Sequence, residues 1–333
     1  MSLTKLEHMA TYYKRPVAAF LLPRPPQTPP PPPDFRSLPD RQGVFSKETW
    51  LALRRARRLQ AVAADLMQSL EQPGHPDVGT TSPDADSEGI AARERARFGV
   101  SVRAQSDWKD ATAALAAWRD LLERHNILTF QLQMPVEDTR GFSLAEREPF
   151  VIAVSSDDSM NARMFTLFHE YGHLMMRSSG ICLPREGEPS GQPERTERWC
   201  DHFAGAFLLP REALRQDTDC QLFLDETPDG ERRLSRLSRR YKVSRLAMLT
   251  RLLVLGWLSR ERYTHEVVGL GVPRPTRGGP VEYANRIVRE KGRTFTSLVL
   301  QAHEQNVVGY SEVADYLGIR LKHMERIREL LSV

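Results

Sequence analysis

At 333 residues, with 40% apolar and 27% charged residues and a net charge of +4, the chain has an ordinary globular composition and room for more than one module. No segment approaches the roughly 20 uninterrupted apolar residues of a membrane helix, and Lys5, Glu7 and His8 stand where a signal peptide would need an apolar core. Cys182, Cys200 and Cys220 are too few for a disulfide framework, so a reducing cytoplasm is the expected compartment and no membrane partner is expected.

Residues 4–15 read as a short amphipathic helix, with Leu6, Met9 and Tyr13 at helical spacing and Pro16 ending it. A polyproline spacer follows over 23–33. Residues 46–70 form the next predicted helix, with Ser46 as its N-cap. Residues 72–88, rich in Pro, Gly, Asp, Ser and Thr, read as a loop or disordered link, and another helix is expected over 106–125. From Ile127 to Met134 apolar and polar residues alternate, as in a half-buried strand. Gly141–Ser143 and Phe150–Val154 are further strand candidates. Helices are expected at 160–177 and 194–214, and everything beyond 230 reads as helical, with turns at 271–279 and at Gly309. The expected fold class is α+β, a small antiparallel sheet backed by helices and followed by a helical C-terminal region. Domain limits are expected at 1–45, 46–225 and 226–333. Basic clusters at Arg54, Arg55, Arg57 and Arg58 and over 232–251 read as solvated helix faces, with polyanion binding the alternative.

The chemistry is concentrated in Phe165-Thr-Leu-Phe-His169-Glu170-Tyr-Gly-His173. Histidines at i and i+4 stand one above the other on a helix, so both imidazoles can reach one metal ion. Catalytic zinc takes three protein ligands and a water. Glu170, beside the first ligand, is placed to act as general base on that water. The bland reading is a pair of core or surface histidines, but the apolar Met164, Leu167, Phe168, Leu174 and Met175 around them argue for burial, which is costly without a partner. Gly172, a poor helix former, suggests close approach of another backbone. A third ligand is sought on the following helix. Glu197 and Asp201 share a face there, the first suited to the metal and the second to the other N–H of a liganding histidine. Glu194 and His202 are competitors that read more simply as solvated residues. Cys182, between the two ligand-bearing helices, is a candidate regulatory ligand that could displace the water, with a buried apolar cysteine the blander alternative.

Two stretches, 150–173 and Glu197-Arg-Trp-Cys-Asp-His-Phe-Ala-Gly-Ala-Phe-Leu-Leu-Pro210, resemble the ImmA/IrrE metallopeptidases of the gluzincin type. The resemblance implies a zincin-like core with zinc on His169, His173 and Glu197, and Mn²⁺ as an alternative metal. Ser155 departs from the asparagine common there, which bears on substrate binding at an exposed strand. Residues 3–26 resemble the last helix and linker of members that begin with a helix-turn-helix domain, here lacking most of that domain. Residues 237–253 and 310–331 have helix-turn-helix rhythm. They admit DNA binding, although packing onto the protease is the simpler reading. The implied function is an endopeptidase that cleaves a helix-turn-helix repressor and so derepresses stress, prophage or defence genes. The rival is a DNA- or partner-binding regulator with a non-catalytic metal site, and a zinc aminopeptidase is a third reading without a visible terminus pocket.

Overall fold

The computed structural model describes residues 2–13, 17–24, 45–72, 74–177, 180–182, 192–226, 229–270 and 282–331. Most of the polyproline stretch and the turn expected at 271–279 lie outside them. The chain divides into two compact units, Met1–Pro32 and Pro33–Val333. In the first, helix α1 (Leu3–Tyr13) is followed by a 3-10 turn over Val17–Phe20.

The second unit begins with α2 (Lys47–Ser69), whose N-cap Ser46 accepts from the Thr49 N–H as expected. Helix α3 (Ser87–Phe98) arises where a loop end was expected. Asp86 caps its start, and Gly99, in the left-handed conformation, closes its end. The single helix expected over 106–125 is two, α4 (Val102–Asp107) and α5 (Ala111–Arg124), because Trp108 is extended and Asp110 opens a new N-cap. Strands β1 (Ile127–Leu132), β2 (Gly141–Leu144) and β3 (Phe150–Ser155) follow, then α6 (Met160–Met175), β4 (Gly180–Cys182) and α7 (Gln192–Leu208). Pro210 ends α7 earlier than expected, and α8 (Arg211–Gln216) and α9 (Thr218–Leu224) come next. The chain continues helically as α10 (Gly230–Tyr241), α11 (Arg245–Val254), α12 (Arg260–Gly269), α13 (Tyr283–Lys291), α14 (Arg293–Glu304), α15 (Tyr310–Leu317) and α16 (Met324–Leu331).

The fold is α+β, but the sheet is mixed rather than antiparallel. Its strand order is β1-β3-β2-β4, with β1 parallel to β3 and the other pairs antiparallel. Strand β3 is therefore internal and fully buried, which corrects the expectation that 150–154 is an exposed strand able to receive a substrate strand. Both of its edges are already spent on neighbours. Ser155 at its end is buried too, its hydroxyl donating to the Met134 carbonyl at 2.6 Å.

Helices cover both faces of the sheet. One face, with Ile127, Ile152 and Val154, joins a core with α5, α6, α7, α10 and α11. The other, with Leu128, Phe130, Leu132, Phe142, Leu144 and Val151, joins a second core with α2, α14, α15 and α16. Strand β1 is thus buried on both sides, not half-buried as its alternation suggested. Its polar residues are satisfied internally: Arg119 donates to the Thr129 hydroxyl at 3.0 Å and to its carbonyl at 2.7 Å, and Arg163 donates to Gln131 at 2.6 Å. A turn near Val243 separates α10 from α11, in keeping with the helix-turn-helix rhythm of 237–253. Leu234, Leu237, Tyr241, Met248, Leu249 and Leu252 of this pair enter the first core. Arg251, expected on a solvated face, is buried. The arginines of α2 do face outward in part, Arg57 toward Glu146 and Arg58 toward Asp315. Among the described residues no helix is long and apolar enough to cross a membrane.

Candidate metal centre

Helix α6 starts at Ser159, whose hydroxyl accepts from the Ala162 N–H, and runs into the space between the sheet and α7. From Thr166 to Met175 every residue is buried. Tyr171 fixes the helix from behind: its hydroxyl donates to Glu94 of α3 at 2.5 Å, and Glu94 also receives Arg97. Gly172 permits the approach of α7. A Cβ there would lie 3.0 Å from Cys200 Sγ and 3.4 Å from Cys200 Cα, so the close backbone expected from the sequence is that of α7. Gly172→Val should therefore force α6 and α7 apart. We expect a stability loss of about 1–3 kcal/mol and weakened metal binding, read by thermal denaturation and by metal content.

The far end of α7 is held as firmly. Pro210 leaves the last carbonyls of the helix without helical partners. Arg95 donates to the Phe207 carbonyl at 2.7 Å, Gln105 to Leu208 at 3.0 Å, and Arg251 to Leu209 at 2.9 Å. All three side chains are buried, and Arg251 is also paired bidentately with Glu88 of α3. The rotation of α7, and with it the direction of its polar face, is fixed by these contacts.

That face meets the histidines. Glu197 Oε2 lies 3.2 Å from His169 Nε2, Glu197 Oε1 lies 3.0 Å from His173 Nε2, and the two Nε2 atoms are 3.2 Å apart. All three residues are buried, and together they form a group able to hold a metal ion. A tetrahedral zinc with bonds of 2.0–2.1 Å requires its ligand atoms to be about 3.3 Å apart. The donor atoms already stand at nearly that spacing, so the residues fit the ion. Asp201, one turn after Glu197, accepts at 2.8 Å from His169 Nδ1, which leaves Nε2 turned toward Glu197. Asp201→Ala should lower metal affinity or activity by about 10–100-fold, measured by competition with a chromogenic chelator.

The electrostatics suit a cation. Burial tends to raise the Glu197 pKa, but His169 and His173 beside it hold the carboxyl well below its ordinary range. Burial tends to lower the His173 pKa, but Cys200 and Glu197 carry it well above its usual value. Ligand imidazoles bind a metal in their neutral form, so a proton and a metal ion compete for this site.

Glu170 is buried, and burial pushes its carboxyl above the usual carboxylate range against the pull of His173 and His169. The Ser143 hydroxyl of β2 also acts against burial, lowering its pKa, and a buried carboxyl with so few polar neighbours is costly.

His202, the neighbour of Asp201, is only partly buried and does not enter the ligand group. The side chains of Glu194 and Cys182 lie outside the described residues, although the Cys182 backbone closes β4 against Gly141. Sequence reasoning passed over two participants. Cys200 acts on His173, and its place three residues after Glu197 on one helix face was a readable signal. Ser143 of β2, whose hydroxyl lowers the Glu170 pKa, could be found only from the strand pairing that carries β2 across α6.

Residues 122–253 match the family model Peptidase_M78, described as an IrrE N-terminal-like domain. This segment runs from the end of α5 to α11 and includes all three candidate ligands. No curated protein matches the chain.

Proposed function

Through residues 122–253 the chain belongs to the ImmA/IrrE metallopeptidase family, and from that premise we propose that it is a zinc endopeptidase of the gluzincin type acting on a regulatory protein. The observation that carries this reading is a buried carboxyl outside the ligand set, Glu170, next to a buried His169–His173–Glu197 group of zinc-like spacing. A divalent ion held there would supply Lewis-acid polarisation of a peptide carbonyl and a water of lowered pKa. Glu170 would accept that water's proton and deliver it to the leaving amine. Asp201 would hold His169 in one tautomer, and Gly172 and Cys200 would keep the two helices close enough for Glu197 to reach both imidazoles. A purely structural site would need the three ligands but no adjacent base.

A substrate strand cannot add to β3, which has neighbours on both sides. Of the two terminal strands of the sheet, β1 and β4, it is β4 that pairs with β2, the strand whose Ser143 acts on Glu170. An extended peptide would pair there with main-chain hydrogen bonds. The proposed substrate is a helix-turn-helix repressor encoded beside the protein, cleaved to derepress stress, prophage or defence genes. The test is to incubate that repressor with the purified protein and Zn²⁺, or Mn²⁺ in parallel, and follow cleavage by mass spectrometry. Metal-dependent cutting at a defined bond supports the proposal. Metal binding with tight repressor association and no cutting would instead mean a regulator with a non-catalytic metal site.

A further inference from the structure

Away from the metal centre, four arginines from three helices line one cavity of about 730 Å³: Arg119 of α5, Arg163 of α6, and Arg286 and Arg289 of α13. That volume is in the range that takes a small organic ligand. Asp110 and Glu290 are the carboxylates on its lining, so four cations face two anions and the wall carries an excess of positive charge.

Two of these guanidiniums are fixed before any ligand arrives. Arg119 donates from Nη1 to the Arg289 carbonyl at 2.6 Å, besides its two bonds to Thr129. Arg163 donates to Gln131 Oε1 at 2.6 Å, to the Asp158 carbonyl at 2.9 Å and to the Ser156 carbonyl. Each therefore commits three of its five N–H donors to holding its position. The cations lie close enough to oppose one another: burial lowers the Arg163 pKa, Asp158 and Asp157 resist this, and Arg119 and Arg289 lower it further. Fixed, like-charged and partly desolvated groups of this kind are a common way to receive a multiply charged oxyanion. Arg286 and Arg289 are exposed on α13 and can adapt to it. The rest of the lining includes an apolar wall of Ala113, Leu115, Ala116 and Met160.

We propose that this cavity binds a phosphate-bearing small molecule, its phosphate held by the arginines and its apolar body against the α5 wall. Bound there, it would tie α13 to the first turns of α6, the helix that carries His169 and His173. A second cavity, of about 780 Å³, shares Asp110 with the first and is lined by Lys109, Arg239, Lys242 and Arg245. A long polyanion would engage both cavities, whereas a small ligand needs only the first.

Calorimetric titration of the full chain with AMP, inorganic phosphate and a short oligothymidylate tests the proposal without reference to proteolysis. AMP should bind saturably and more tightly than inorganic phosphate. The double variant R286E/R289E should weaken AMP by about 10–100-fold, the loss expected for charge-assisted contacts. Both side chains are exposed, and only the Arg289 main chain is used by Arg119 and Gln131. Arg286 gives up only weak, exposed contacts with Glu290 and the Tyr283 ring, so the variant should melt close to the wild type. R286Q/R289Q should show a smaller loss in the same direction. R239E, in the neighbouring cavity, should leave AMP binding unchanged. Absence of saturable AMP binding, or AMP binding undiminished in R286E/R289E, overturns the proposal. Binding of oligothymidylate alone, reduced in R239E as well, overturns it in favour of a track for a polyanion.

Discussion

Glu170→Gln is expected to slow peptide cleavage by about 10²- to 10⁴-fold, the usual contribution of a positioned general acid–base, while the protein keeps its wild-type zinc content. The two expectations separate because Glu170 is not one of the three convergent ligands. Glutamine keeps the shape and the burial of the side chain but cannot accept the proton. Its polar neighbour is the Ser143 hydroxyl, to which a glutamine amide can still hydrogen-bond, so the melting temperature should change little. His169→Ala and His173→Ala should lose zinc and activity together, and Glu197→Ala should lower zinc affinity in the same assay. Zinc content by atomic emission and repressor cleavage by mass spectrometry, on the same preparations, give both readouts. If Glu170→Gln cut at the wild-type rate, the proposed mechanism would be wrong.

Excising residues 122–253, the segment that matches the family model, should yield a chain that does not fold by itself. The reason lies in the second core. Leu128, Phe130, Leu132, Phe142, Leu144 and Val151 are buried against α2 and the helices beyond 282, none of which lies in the segment. Exposing each large apolar side chain costs about 1.5–3 kcal/mol. Six of them approach or exceed the 5–15 kcal/mol that stabilises a typical domain. The excised segment also loses Glu88 and Arg95, which hold the end of α7. It should be aggregated, or molten with no cooperative thermal transition, whereas residues 45–333 should melt cooperatively. A soluble, cooperatively melting 122–253 would show that the second core contributes much less than its burial implies.

Much of the candidate site was legible in the sequence because its signals are local. The i, i+4 spacing of His169 and His173, and of Glu197 and Asp201, fixes which residues share a helix face whatever the rest of the chain does. Gly172 marked a close contact for the same reason. The capping residue Ser46 and the turn inside the helix-turn-helix rhythm of 237–253 likewise act within one turn of backbone, whereas Pro210 was read inside a helix and in fact follows the end of α7. Helix α3 also carried its signals, Asp86 before and Gly99 after, but they sat at the end of a stretch whose composition read as loop.

What tertiary structure alone decided concerns neighbours far apart in sequence. Alternation in 127–134 determines two faces for β1 but not what covers them. Only the packing of α5, α6 and α13 shows that Thr129 and Gln131 are buried with their hydrogen bonds met by Arg119 and Arg163. Strand order is not encoded in any one strand, so the internal place of β3, and with it the terminal places of β1 and β4, appeared only once the pairings were known. The same holds for Arg251. A charged residue in a basic run reads as solvated, until a carbonyl from the end of α7 and the carboxylate of Glu88 are brought to it from elsewhere in the chain. Periodicity sets the direction of a side chain, whereas its partner is set by which distant segment can fill the space without stranding a polar group.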